Sequence, residues 1–278
     1  MYFISGVRQP SEVRAFRDMG MPFGISMASY TDTLEECLLR NSDTHLFVDS
    51  GAFSEVHFDD EGRRSICGWI CDGAWREILD AYQRLSRVYG KKAVFVAPDC
   101  VGDQRESFHR LSIYKERILT LMDRSDVIVP LQRGDLTLSE SYDKAIEILD
   151  SRIIVGIPFK KAATNLEDYK AFAREKEPAK VHFLGLGKVS SSWPKVRCFH
   201  QSLGDRAPVF THDSCRIRSL TGREPDLRPL TREIRKRMPY GEGGRDQAMY
   251  ESLLACKEDL LKERYFDHGQ LPLVFGRK

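Results

Sequence analysis

The sequence predicts an α/β fold, a (β/α)8 TIM-like barrel, and three observations carry that expectation. Short apolar runs recur along the chain, most followed by a turn signal and then by apolar residues at helical spacing, which is the alternation of a parallel sheet. Eight such runs can be marked, as many as a closed barrel needs. The length of 278 residues suits one barrel with a full core and a small tail.

The expected strands are residues 2–5, 22–27, 45–48, 93–97, 127–131, 153–157, 181–184 and 208–211. The third is the most informative, because Leu46-Phe47-Val48 is cut off by Asp49-Ser50-Gly51 with Phe53 close behind. A buried parallel strand reads this way when it delivers a carboxylate to a site and turns sharply at glycine. The same Asp49-Ser50 pair also suits a simple helix cap.

The intervening helices follow from caps and spacing. Ser11 ahead of Glu12, with Val13 and Phe16 on one face, opens the first, and Thr33 with Glu36 forms a capping-box pattern for the second. Residues 58–73 read as an exposed loop over the barrel mouth, a lid or binding loop, ahead of a helix over 74–89. One helix over 102–122 aligns Phe108, Leu111, Tyr114, Ile118 and Leu121. Residues 139–149 turn Tyr142, Ile146 and Leu149 inward, and Thr164 with Glu167 caps a helix that Pro178 stops. The barrel domain is expected over 1–223, followed over 224–278 by a basic Pro/Gly-rich loop and a C-terminal helix, about 246–265, packed on the barrel.

Composition excludes several classes. Hydrophobic content of 41% with 30% charged residues describes a soluble globular chain, not a disordered or fibrous one. No apolar run approaches a membrane span, and the N-terminal residues lack a signal-peptide pattern. Seven scattered cysteines suggest reduced thiols, hence a cytoplasm, or the host cytoplasm for a phage-encoded protein. Cys67 and Cys71 lack the partners of a zinc site. Charge is uneven: Arg216, Arg218, Arg223, Arg228, Arg232, Arg235, Lys236 and Arg237 face only Glu224, Asp226 and Glu233 in that stretch. Such a face suits a phosphate backbone, although a solvated loop would read similarly.

Catalytic groups of a barrel project from the C-terminal ends of its strands. Those ends offer Asp49 and Phe53, then Asp99 and Asp103, Gln132 and Asp135, Gly156 and Lys160, Leu184, Gly185 and Gly187, and finally His212 and Asp213. Three aspartates, an amide and several glycines describe a pocket for a planar, hydrogen-bonding molecule such as a purine-like base. Asp99 and Gln132 would read its edges, Gly156 would offer backbone groups, and Phe53 with Leu184 would clamp its faces. Capping or core packing is the ordinary alternative for any one of these residues.

These residues carry a resemblance. The chain resembles the tRNA-guanine (queuine) transglycosylase superfamily, and within it the phage and bacterial enzymes that place 7-deazaguanines in DNA. Asp49-Ser50-Gly51-Ala52-Phe53 is similar to the family's Asp-Ser-Gly-Gly-aromatic stretch, and Ala97-Pro98-Asp99-Cys100 to its Phe-Asp-Glu-Cys segment. Leu131-Gln132-Arg133-Gly134 resembles its Gln-Gly turn, and Val155-Gly156-Ile157 its Gly-Gly-Leu. Phe183-Leu184-Gly185-Leu186-Gly187 resembles Leu-Met-Gly-Val-Gly, and His212-Asp213-Ser214-Cys215 resembles Phe-Asp-Cys-Val. The matches come in family order over roughly residues 45 to 223, and it is the order more than any single motif that is specific.

The resemblance implies a barrel and a base exchange through a covalent intermediate. In that scheme Asp213 attacks the sugar C1′, guanine leaves, and a 7-deazaguanine such as preQ0 displaces Asp213. Asp49 serves as general acid and base, and Asp99 with Gln132 selects the base, in the manner of a retaining glycosidase. The resemblance also departs from the family. No Cys-x-Cys-x2-Cys…His zinc module follows Asp213, where only Cys215 and Cys256 remain, so neither a metal nor another cofactor is expected. Ala52 replaces the second glycine, as expected of the DNA-acting branch, and strand eight matches least, with His212 for an aromatic and Arg216-Ile217-Arg218 for Val-Leu-Pro-Thr-Arg. The expected partners are nucleic acid, DNA favoured over tRNA, and the incoming base, with no membrane and with a homodimer left open. Two other readings stay open: a non-catalytic nucleic-acid-binding partner subunit, and a base-releasing N-glycosidase using the same aspartates.

Overall fold

Eight parallel strands close into a barrel in the computed structural model, which describes residues 1–58, 64–66, 72–158, 166–186, 196, 199, 201–202, 209–215 and 244–258. In chain order the elements begin β1 (Tyr2–Val7), α1 (Pro10–Met19), β2 (Phe23–Ser26), α2 (Asp32–Leu39) and β3 (Leu46–Asp49). A short ribbon of β4 (Val56–Phe58) and β5 (Arg64–Ile66) leads to α3 (Asp72–Tyr89) and β6 (Ala93–Val96). Next come α4 (Gln104–Ile113), α5 (Lys115–Met122), β7 (Asp126–Pro130), α6 (Leu138–Leu149) and β8 (Ile154–Pro158). The last are α7 (Leu166–Glu175), β9 (Lys180–Leu184), β10 (Val209–Cys215) and α8 (Gly244–Ala255).

The barrel runs β1-β10-β9-β8-β7-β6-β3-β2, and β2 returns to β1. Strand alternation sorts each run into an outer and an inner set. Outward residues such as Ile4, Phe23, Val48, Phe95, Val155 and Val181 are buried under the helices. Inward residues Phe3, Phe47, Val96 and Ile128 form a separate apolar plug, with Val94, Ile154 and Leu184 packed on it. Two inner positions are glycine for steric reasons. A Cβ on Gly24 would lie 2.5 Å from Ser5 Oγ and 2.9 Å from Phe47 Cδ1, and one on Gly156 would lie 2.7 Å from Ile128 Cγ2. Gly24 pairs in register with Phe47 and Gly156 with His182, so these two inner rings each have a glycine beside them on the next strand. Large and small residues alternate around the cylinder because the interior has a fixed width.

Several boundaries differ from the sequence expectation. The eighth barrel strand does not end at Thr211 but runs to Cys215, paired with β1 through Phe3↔Asp213 and Ser5↔Cys215. Polar His212, Asp213 and Ser214 remain in a strand because each finds a bonding partner there. The helix expected over 102–122 breaks at Tyr114 into α4 and α5. Tyr114 N still donates to Arg110 O, and Ile118 N to Tyr114 O, so the bend keeps its backbone bonds while Leu111, Tyr114, Ile118 and Leu121 stay buried. The cap of α2 is Thr31, which accepts from Leu34 N, two residues before the expected Thr33 box. In α1 the helix starts at Pro10, before Ser11, and Glu12 accepts from the backbone N–H groups of Arg8 and Gln9. The loop expected after β3 contains the β4–β5 ribbon, whereas residues 59–63 and 67–71, and with them much of the expected lid, lie outside the described residues.

The expected C-terminal helix, about 246–265, corresponds to α8, and residues 259–265 lie outside the described residues. α8 lies against α1, burying Leu253 and Cys256, and Tyr250 donates its hydroxyl to Asp18 at 2.8 Å. No described helix is long and apolar enough to cross a membrane.

The inner packing makes a direct prediction. Gly24→Ala should destabilise the fold by about 1–3 kcal/mol, because the added methyl meets the Ser5 and Phe47 side chains at once. A lowered urea midpoint with unchanged slope is the expected readout.

Candidate active site at the barrel mouth

Two carboxylate stations form where the strands end. The first is built on β3, β6 and β7. Asp49 closes β3 and accepts from Gly51 N at 3.3 Å. Gly51 makes the sharp turn that Asp49-Ser50-Gly51 implied: its φ is +80°, and a Cβ there would lie 2.8 Å from Ala28 N. The turn directs Ser50 Oγ to Asp99 Oδ1 at 3.2 Å, and Ala52 N donates back to Ser50 Oγ at 3.3 Å.

Asp99 is only 4% exposed, just beyond β6. Its Oδ2 accepts from Gln132 Nε2 at 2.8 Å, and Gln132 Oε1 accepts from Gly102 N at 2.9 Å, so one amide ties the loops after β6 and β7 together. Behind them Arg110 donates to the Asp99 carbonyl at 2.6 Å, pairs with Glu106 at 2.8 Å and lies over the Trp75 ring. Burial, and then the negative charge of Asp49, push the Asp99 carboxyl up to about 7, against the opposing bonds from Ser50 and Gln132. Asp99 is therefore a carboxyl that holds its proton close to neutral pH, beside a second carboxylate.

The second station is centred on Asp213, inside β10. Its Oδ1 accepts from Gly185 N at 2.8 Å and lies 3.3 Å from His182 Nε2, and its Oδ2 accepts from Ser5 Oγ at 3.0 Å. Gly185 follows β9 with a φ of +74°, the left-handed turn that points its N–H back at the carboxylate. Burial raises the Asp213 pKa, but the bonds from His182, Gly185 and Ser5 outweigh it and hold the carboxyl below its ordinary value. Asp213 is thus a buried carboxylate kept ionised by donors.

The remaining expected residues fall into different places. Phe53 lies on the turn after Asp49 and is 41% exposed, an aromatic face open to solvent at the mouth. Leu184 ends β9 and packs on the apolar plug. Gly156 lies within β8, its carbonyl accepting from Leu131 N at 2.9 Å and its missing side chain explained by the close approach of Ile128 and Pro130. Asp103, also delivered by the loop after β6, caps α4 by accepting from Glu106 N at 2.9 Å. His212 stacks on Tyr2, with its Nδ1 3.2 Å from Leu186 O. Arg216, Arg218, Arg223, Arg228, Arg232, Arg235, Lys236 and Arg237, with Lys160 and Gly187, lie outside the described residues.

Sequence reasoning missed Ser5 and His182, which bond Asp213, and Thr211, which bonds His182. A signal was present: in Val181-His182-Phe183-Leu184 the alternation puts His182 on the inner face, where an unpartnered imidazole would be costly.

Taken together, an ionised carboxylate and a proton-holding carboxyl beside a second carboxylate stand at the end of one barrel. This is a division of labour suited to nucleophilic displacement with proton transfer. No family model matches the chain, and a search of the curated proteins finds no match.

Asp99 gives the site a pH signature. Its folded pKa lies above the unfolded value, so the group's contribution to stability is full below about pH 4 and is lost as pH rises through about 7. Asp99→Asn keeps the acceptor for Gln132 and removes this loss. The variant should gain stability relative to the wild type between pH 5 and pH 8, on the order of a few kcal/mol. Thermal melts of both proteins across that range read the difference.

Proposed function

We propose that the protein exchanges guanine in nucleic acid for a 7-deazaguanine base such as preQ0, with DNA preferred over tRNA. The observation that carries this reading is the pairing of Asp213, held ionised by three donors, with the Asp49–Asp99 station, where a proton is retained near neutral pH. The ordered motifs from Asp49 to Asp213 support the same chemistry, and Ala52 in place of the second glycine favours DNA over tRNA.

In the first displacement an Asp213 oxygen attacks the sugar C1′ as the C1′–N9 bond breaks, and the proton that the Asp49–Asp99 pair retains passes through Asp49 to the departing guanine. In the second, Asp49, now a carboxylate, takes the ring proton of the incoming base as that nitrogen attacks C1′ and Asp213 leaves. Two inversions preserve the anomeric configuration. Asp99 and Gln132 bind the base edge, and Phe53 covers its face. The low pKa of Asp213 makes it a good leaving group in the second step. A base within a duplex must first be unstacked, at a cost of a few kcal/mol, which the basic run from Arg216 to Arg237 offsets by holding the backbone.

Incubation with labelled preQ0 and either DNA or tRNA tests the proposal. Label should enter DNA in preference to tRNA, and incorporation into neither polymer overturns the reading. Asp213→Ala should abolish incorporation, and Asp49→Ala should lower it by about 10²–10⁴-fold. Full activity in both variants would instead fit a non-catalytic partner subunit, and release of free guanine without incorporation would fit a hydrolase. Affinity for DNA should fall steeply with salt, by about 10³-fold or more between 50 and 200 mM if most of the basic run contacts phosphates.

A further inference from the structure

His182 occupies the middle of the barrel with 0% exposure, a setting in which an imidazole needs a reason. Its ring stacks on Phe47, with centroids 4.9 Å apart and planes 13° apart, and Phe3 lies 6.3 Å away on the same inner face. Nε2 lies 3.3 Å from Asp213 Oδ1, and Nδ1 lies 2.7 Å from Thr211 Oγ1. The protonation of this chain follows from valence. An ionised carboxylate only accepts, so Nε2 carries the hydrogen; a neutral imidazole then accepts at Nδ1, so the Thr211 hydroxyl donates.

Burial keeps the imidazole neutral. It pushes the His182 pKa down, the His212 ring and the terminal amine act in the same direction, and the bond to Asp213 opposes them without prevailing. A charged His182 would form a buried ion pair with Asp213; a neutral one donates a hydrogen bond without neutralising the carboxylate. That distinction matters for a nucleophile, which must keep its charge while its orientation is fixed.

We propose that His182 is the positioning residue of Asp213: a neutral imidazole, held as the Nε2–H tautomer by the carboxylate it serves, bonded at Nδ1 by the Thr211 hydroxyl and clamped flat on Phe47, which fixes the direction and the ionised state of the carboxylate. Its effect on turnover rests on the base-exchange reading above; its effect on Asp213 does not. Ser5 and Gly185 bond the same carboxylate, but of its three donors His182 alone is a rigid ring held on its face by packing and on its far edge by a second side chain. The geometry resembles the orienting pair of a catalytic triad with the roles exchanged, since here the histidine serves the carboxylate.

The test joins nitrogen and carboxyl NMR with kinetics. In 15N-histidine protein, the resonance pair missing from His182→Gln identifies His182, and its shifts should report a neutral ring protonated at Nε2. In 13C-aspartate protein, Asp213 should titrate below the ordinary aspartate range in the wild type. It should titrate higher in His182→Phe, which keeps the ring on Phe47 without its donor, and stay near the wild type in His182→Gln, whose amide N–H replaces Nε2–H. Thr211→Val should leave the ring in the Nε2–H form, which the carboxylate dictates, and shift the Nδ1 resonance that loses its donor. For base exchange, His182→Phe should lower kcat on the order of 10–100-fold with an unchanged KM for the base, and His182→Gln should restore most of it. An Nδ1–H or doubly protonated ring in the wild type overturns the proposal, as does an Asp213 titration or a kcat that His182→Phe leaves alone. Should His182→Phe not fold, the tautomer in the wild type and in Thr211→Val decides, an Nδ1–H ring in either overturning the proposal. If the wild type exchanges no base, the function reading fails while both NMR measurements still decide the role of His182.

Discussion

The pairing of the first strand with the last is the contact on which the site depends. Asp213 lies on β10 opposite Phe3 of β1, and Ser5 reaches its carboxylate from two residues further along β1. A carboxylate buried without donors would cost several kcal/mol or take up a proton. Closing the barrel therefore does more than remove two sheet edges. It delivers a hydroxyl across a separation of 208 residues to a carboxylate that His182 and Gly185 also help to keep ionised. The α-amino group of Met1 adds to the seam by bonding Phe210 O at 2.9 Å, and the Tyr2 hydroxyl bonds Ser214 Oγ.

The opposite wall has the reverse electrostatics. Around Asp99 the donors are fewer, the burial is as deep, and the neighbour is another carboxylate, so protonation is favoured there and resisted at Asp213. The difference arises from backbone details. The turn after β9 aims an N–H at Asp213, while Gly102 N, across the barrel, bonds Gln132 and leaves the carboxylate to a side-chain amide. One scaffold thus sets two aspartates to different protonation states without a metal ligand set among the described residues.

The interior of the cylinder explains how a histidine comes to serve this arrangement. Its fixed width accepts the rings of Phe47 and His182 because Gly24 and Gly156 stand beside them in register. Gly156, whose backbone the sequence suggested for a ligand, also has a packing role that the motif alone does not disclose. The same economy appears in Gly185, expected near the base and found holding Asp213.

The sequence by itself determined the eight strands, most of the helices between them and the strand ends that carry Asp49, Asp99 and Gln132. Those features are local: apolar runs, period-two alternation and glycine turns are written in neighbouring residues. The split of the helix at Tyr114 and the extension of β10 to Cys215 were not legible, because each is decided by partners distant in the chain. Only the tertiary structure decided that His182, backed by Thr211, and Ser5 bond one carboxylate while Gln132 and Ser50 serve another. The physical reason is register: which inner side chains meet depends on how strands stagger around a closed barrel, and no stretch of one strand encodes its neighbour's offset.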